Sequence, residues 1–139
     1  MTKERKIRVL VTGATGFVGR NILKAFAAQA DVEIIAACRT PKKLSAEFKG
    51  EVRVGDLLDA DYRKAVVKNI DVISHAGTWA ALWNHKKLEQ ARFLEPTLDL
   101  IEQAIKSKVK RFILTSSNAI TAPSNVGGAS LMILLQPNT

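Results

Sequence analysis

At 139 residues, 47% of them hydrophobic, the chain can bury one sizeable core but not two, so a single domain over residues 1–139 is expected. One cysteine and two histidines exclude an intramolecular disulfide and supply no metal cluster, which fits a cytoplasmic, reducing setting. The net charge of +8 is divided among clusters at residues 3–8, 42–43, 86–87 and 106–111, without interleaved aromatics, and no apolar run has the length of a membrane span. Most of that charge therefore reads as solvated surface, and neither nucleic acid nor membrane is expected as a partner.

The first apolar run (Ile7, Val9, Leu10, Val11) reads as a strand over residues 6–12. It leads into Thr12-Gly13-Ala14-Thr15-Gly16-Phe17-Val18-Gly19 and then a helical stretch over 17–30. Strand, glycine turn and helix in that order are the context of a dinucleotide-binding fingerprint. Gly13 can turn where a Cβ would clash, Gly16 lets backbone amides approach a pyrophosphate, and Gly19 lets the helix pack close to the strand. The helix N-terminus adds unpaired N–H groups and a partial positive charge.

A second strand, 32–38, ends at Arg39, where such a fold reads the adenosine ribose. An acidic residue there selects NAD through the 2′-hydroxyl, whereas a guanidinium matches the 2′-phosphate of NADP. Arg39, with Lys42 and Lys43 close behind, points to NADP rather than NAD. Asp31 and Glu33 lie at the other end of the strand. A short strand at 52–54 follows, then Asp56, which either accepts a hydrogen bond from adenine or serves as an ordinary turn residue.

Asp59 is a suitable N-cap for a helix over 60–68, and strand four spans 72–75. The small residues of His75-Ala76-Gly77 either let the backbone lie along the nicotinamide ribose or simply end the strand, and His75 reads as a strand-end residue satisfied by a backbone partner. Trp79 and Trp83, four apart, read as helix-face packing. A long helical pattern then runs to about residue 107, with Leu94, Leu98, Ile101 and Ile105 on one face and a start or kink near Pro96. The fifth strand, 111–115, ends at Ser116 and Ser117, only one of which can face a substrate, because neighbouring strand residues point oppositely.

Alternating strands and short-linked helices imply an α/β fold, a doubly wound parallel sheet of order 3-2-1-4-5. Its ligand edge lies at the strands' carboxyl ends, where the order reverses between strands 1 and 4.

The set VTGATGFVG at 11–19, Arg39, GDLLD at 55–59, DVISHAG at 71–77 and VKRFILTSS at 109–117 resembles the extended or atypical short-chain dehydrogenase/reductase family. The resemblance covers residues 6 to about 122 and points to the branch of nucleotide-sugar epimerases, dihydroflavonol-type reductases and related NAD(P)-dependent enzymes. It implies a cofactor held by Gly13, Thr15, Gly16, Phe17, Val18, Gly19, Arg39, Lys43, Asp56, Leu57, Ala76 and Gly77, with Asp56 and Leu57 at the adenine. It also implies Ser117 as the catalytic serine, with Ser116 the alternative one residue away.

The departures bear on chemistry. Phe93 stands where the family often has asparagine, and Pro96 replaces a frequent glycine. The family's Tyr-x-x-x-Lys pair follows strand five, but the only tyrosine in these 139 residues is Tyr62, before strand four. General acid–base catalysis of that kind is worth roughly 10²- to 10⁴-fold in rate. Residues 123–139 read either as a Pro/Gly/Ser loop leading to a sixth strand within Leu131 to Leu135, or as an unrelated tail favouring self-association. The expected function is NADP(H) binding with little or no turnover. The alternative is a non-enzymatic, nucleotide-responsive interaction module, and a homo-oligomer fits either.

Overall fold

The computed structural model describes residues 4–77, 86–116 and, for the backbone, 134–135. Strand β1 (Ile7–Thr12) is followed by helix α1 (Phe17–Ala27), β2 (Val32–Cys38), a single 3₁₀ turn (Pro41–Lys43), β3 (Glu51–Val54), α2 (Ala60–Val66) and β4 (Val72–His75). A continuous helical stretch follows, made of α3 (Lys86–Glu89), a π-helical segment (Gln90–Leu94) and α4 (Glu95–Lys106), and then β5 (Arg111–Leu114) and β6 (Leu134–Leu135). The sheet order is β3-β2-β1-β4-β5-β6. The first five strands are parallel, as the sequence predicts, while β6 pairs with β5 antiparallel. The apolar run near residue 134 does add a strand, but one that returns along β5 instead of extending the parallel sheet.

Period-two alternation divides the core between the two faces of the sheet. On one face, Leu10, Ile35 and Ile73 meet Val66 and Val67 of the α2 end and Leu100 and Ala104 of α4. On the other, Val9, Val11, Ile34 and Ala36 meet Leu23 of α1, flanked by Ile22 and Phe26. Helix α1 stops at Ala27, three residues short of the sequence reading, because the chain must turn back into β2, with Gln29 N–H bonding the Phe26 carbonyl. Asp59 caps α2 as expected, its side chain accepting from the Asp61 amide at 2.9 Å.

Helix α4 corrects the sequence reading. Of the four residues assigned to one apolar face, Leu94, Leu98 and Ile105 are 48%, 56% and 61% exposed and only Ile101 packs against the core, whereas Thr97, Leu100 and Ala104 are buried against the sheet. The two stripes are adjacent on the helix, and the one built of small and mixed residues is the one turned inward. Pro96 lies in the first turn of α4, directly after the π-helical segment. A proline cannot donate to the carbonyl four residues back and its ring crowds that carbonyl, so widening the preceding turn accommodates it without ending the helix.

The amino ends of the strands are tied by ion pairs. Arg8 of β1 reaches Glu33 of β2 at 2.6 Å and Glu51 of β3 at 2.8 Å, and Asp71 accepts from the Arg8 amide at 2.9 Å and from Arg5 at 2.6 Å. Burial alone would raise the Asp71 pKa, but these donors together with Lys110 outweigh it and hold it below the usual value. Arg5 and Arg8, read from sequence as part of a solvated basic cluster, therefore clamp the edge of the sheet opposite to the strands' carboxyl ends. Among the described residues, no helix is long and apolar enough to cross a membrane.

Leu100 is fully buried between α2 and the sheet, so Leu100→Ala is expected to destabilise the domain by about 2–5 kcal/mol, read from the urea midpoint at unchanged slope. A loss below about 1 kcal/mol would show that α4 is not docked as described.

Candidate functional site

The carboxyl ends of the strands open into a cleft of about 430 Å³ at the β1–β4 reversal. That volume lies within the usual range of small-molecule sites. Its floor is formed by Gly13, Ala14, Thr15 and Gly16, with Phe17, Val18 and Gly19 of the first turn of α1. Gly13 has a φ of 61°, the left-handed region, and a Cβ there would lie 2.6 Å from the Gly77 nitrogen and 2.7 Å from the Ala76 carbonyl carbon. A Cβ on Gly19 would run into the Gly13 carbonyl. Three segments thus meet at a point where only backbone fits.

Helix α1 begins there without a side-chain cap: Gly16 is the N-cap, and Arg20 N–H makes the first helical bond to its carbonyl at 3.0 Å. The first turn carries no acidic residue. The amides of that turn, which no side chain caps, together with the helix dipole leave a positive cradle for an anion.

At the β2–β3 end the lining is Cys38, Arg39, Gly55, Asp56, Leu57, Leu58 and Tyr62. Arg39 is exposed at the end of β2, and Lys42 and Lys43 follow on the exposed 3₁₀ turn without lining the cleft themselves. Asp56 uses Oδ1 to accept from the Leu58 amide at 2.9 Å, so its turn-forming role is visible directly. Arg63 donates to the Leu57 carbonyl at 2.7 Å and pairs with Asp99 of α4, tying this loop to the neighbouring helix on the same face of the sheet.

The Tyr62 ring lies against Gly55, and its hydroxyl donates to the Arg53 carbonyl at 2.6 Å. Burial pushes the phenol up to about 12. Tyr62 is therefore a wall of the β3 end, held protonated and with its proton already committed. It is not a displaced version of the tyrosine expected after β5.

At the β4 end the lining is His75, Ala76 and Gly77, faced by Arg92, Phe93, Pro96 and Thr97. His75 is buried, and its partners are two threonine hydroxyls, not the backbone partner the sequence reading expects. Thr12 Oγ1 lies 2.6 Å from Nδ1, and Thr97 Oγ1 lies 3.1 Å from Nε2. Strand β5 already satisfies the backbone there, with Thr115 N–H donating to the His75 carbonyl at 3.0 Å, so the ring turns inward. Burial lowers its pKa to about 4.

Of the residues the sequence singles out, Gly13, Thr15, Gly16, Phe17, Val18, Gly19, Arg39, Asp56, Leu57, Ala76 and Gly77 share this cleft, and Lys43 sits beside it. Ser116 is exposed just past β5 and does not line it, while Ser117, Trp79 and Trp83 lie outside the described residues. Thr97, Phe93 and Tyr62 were missed as lining residues. Thr97 had a signal: it stands at i relative to Leu100 (i+3) and Ala104 (i+7), the alternative phase of α4. Among the described residues, no group of three or more His, Cys, Asp or Glu side chains is placed to hold a metal ion.

Comparison with known proteins agrees with this geometry. The model of the NAD dependent epimerase/dehydratase family matches residues 9–133. A UDP-glucose 4-epimerase from Vibrio cholerae is 31% identical over 91% of this chain and 40% of its own length. Among solved structures, ADP-L-glycero-D-manno-heptose-6-epimerase of Helicobacter pylori superposes with a TM-score of 0.73 at 25% identity, over 88% of this chain and 44% of that one. A uronate dehydrogenase variant from Agrobacterium tumefaciens, complexed with NAD, gives 0.68 at 28% identity, over 81% and 42%. The chain thus spans less than half the length of these relatives.

The buried imidazole makes a pH prediction. With its folded pKa near 4 and an unfolded value near 6.5, His75 contributes stability that is fully present above about pH 6.5 and is lost as pH falls toward 4. The loss is on the order of 3 kcal/mol. The carboxylates of Glu51, Asp71 and Asp99, all held below their usual values, lose theirs only at more acid pH. Urea melts between pH 7 and 4.5 should show the decline in wild type and a markedly flatter profile in His75→Gln; equal slopes would contradict the assignment.

Proposed function

Because the chain belongs to the NAD-dependent epimerase/dehydratase family, we propose that residues 1–139 form a module that binds NADP(H) in preference to NAD(H) and on its own turns it over slowly or not at all. The observation that carries this reading is the uncapped, carboxylate-free start of α1, continuous with a β2–β3 end where a guanidinium stands. The cradle fits a pyrophosphate, since it offers backbone donors and no competing carboxylate.

Arg39 supplies the paired N–H donors that a 2′-phosphate accepts, with Lys42 and Lys43 adding positive charge at short range. Asp56 and Leu57 border the adenine position, with the Tyr62 ring as its wall. Ala76 and Gly77 carry the cleft toward β5, where Ser117, with Ser116 as the alternative, is the assigned partner of a substrate oxygen. Ser116 stands just past β5, outside the cleft lining, so that role rests on the resemblance.

When bound, the nicotinamide supplies or accepts a hydride. The accompanying proton needs a group of its own. Tyr62, the only tyrosine in the sequence, is engaged at the β3 end, and His75 is buried neutral between two threonines. Carbonyl reduction, or epimerisation through a keto intermediate, is accordingly assigned to a longer protein that carries the missing pair and its substrate-binding region. The cytoplasm remains the proposed setting, and a homo-oligomer the proposed assembly.

Fluorescence titration of the 139-residue chain should show NADPH binding more tightly than NADH. Arg39→Ala should weaken NADPH by about 10- to 100-fold with little change for NADH. Oxidation of the bound NADPH by an added carbonyl compound, which takes the hydride, should run at least about 10²-fold slower than in complete family enzymes. Equal affinities for the two cofactors in wild type would overturn the NADP assignment, and a full turnover rate would overturn the separation of binding from chemistry.

A further inference from the structure

Beneath the β4 end of the cleft runs a buried chain of polar groups that cofactor binding, as described, does not use. Gly77 N–H donates to Thr12 Oγ1 at 3.2 Å. With the ring proton on Nε2, that hydroxyl donates to His75 Nδ1, 2.6 Å away. Nε2–H then donates to Thr97 Oγ1 at 3.1 Å. In that tautomer the chain runs in one direction, and it joins the cleft floor, β1, β4 and α4. A neutral imidazole satisfies both threonines at once, whereas a purely apolar side chain would leave the Thr12 hydroxyl without an acceptor.

The ring's plane is fixed as well. Phe93 stacks over it with centroids 6.3 Å apart and planes 7° from parallel, and Phe112 meets it tilted by 49° at 5.7 Å. Phe93 also lines the cleft, so the imidazole is braced by a residue that faces the ligand.

We propose that His75 is a positioning residue for the dinucleotide: by orienting the Thr12 hydroxyl it holds the Ala76–Gly77 peptide against Gly13 and so sets the cleft's width on the β4 side. This rests on the cleft binding a dinucleotide. The adenosine half falls to Arg39 and Asp56 on the β2–β3 side of the reversal, and a dinucleotide spans the crevice, so its other half lies on the side His75 controls. A merely structural histidine would lower stability and affect every ligand of the cleft alike. A positioning histidine affects the two halves unequally.

The test compares NADPH with adenosine 2′,5′-bisphosphate, which carries the adenosine and 2′-phosphate but not the nicotinamide half, on the 139-residue chain and its His75→Leu, His75→Gln and Thr97→Val variants. His75→Leu should weaken NADPH by about tenfold or more while changing the bisphosphate by less than about twofold. His75→Gln, whose amide can both accept and donate, should recover most of that loss, and Thr97→Val should show a smaller loss with the same selectivity. If His75→Leu does not fold, the comparison between His75→Gln and Thr97→Val carries the same decision. Equal losses for both ligands, or unchanged NADPH affinity in folded variants, would overturn the proposal. Failure of the wild type to bind either ligand would instead overturn the reading of the cleft itself.

Discussion

Gly13 is the point on which the rest of the structure depends, because three segments approach there more closely than any side chain allows. The end of β1 turns through a left-handed conformation, the peptide after β4 passes within 2.6 Å of where a Cβ would sit, and Gly19 of α1 presses on the Gly13 carbonyl from the other side. Backbone contact at that junction brings the α1 amides to the β1–β4 reversal, where no side chain caps them. Substituting alanine would strain φ and also push β4 away, so one methyl group would damage fold and cleft together.

Around that junction the molecule divides its work between the two ends of the sheet. The amino ends are closed by the Arg8–Glu33–Glu51 and Arg5–Asp71 pairs, which tie neighbouring strands together. Hydrophobic burial on both faces sets the sheet between its helices. The carboxyl ends are left open, with polar groups either committed to the frame, as in Tyr62, His75 and Thr12, or exposed at the rim, as in Arg39. A tyrosine and a histidine both line the cleft, and both are engaged with the frame, which supports the proposed separation of binding from chemistry.

Much of this was legible in the chain because it depends on local pattern. The apolar runs alternating with helical stretches were enough for the parallel order of β1 to β5, and the Gly13–Gly19 spacing after a strand located the cradle. Asp59 declared the start of α2 through its capping chemistry. What escaped were features decided by packing at long range. The inward face of α4 was misassigned because Leu94, Leu98 and Ile105 form the more hydrophobic stripe, whereas the sheet accepts the narrower one of Thr97, Leu100 and Ala104. The partners of His75 lie 63 and 22 residues away, on β1 and α4, and no local rule couples those positions. The direction of β6 was equally open, since a short apolar run fits a parallel or an antiparallel neighbour.

The claim that the glycine junction and the start of α1 form a dinucleotide cradle is tested most directly by amide chemical shifts of the ¹⁵N-labelled chain as NADPH is added. The account predicts that saturable shifts concentrate at Gly13 and Gly16 to Gly19, at Arg39, at Asp56 to Leu58 and at Gly77, with the α1 amides moving most. Shifts confined to the basic surface away from these residues, or none at millimolar NADPH, would contradict it.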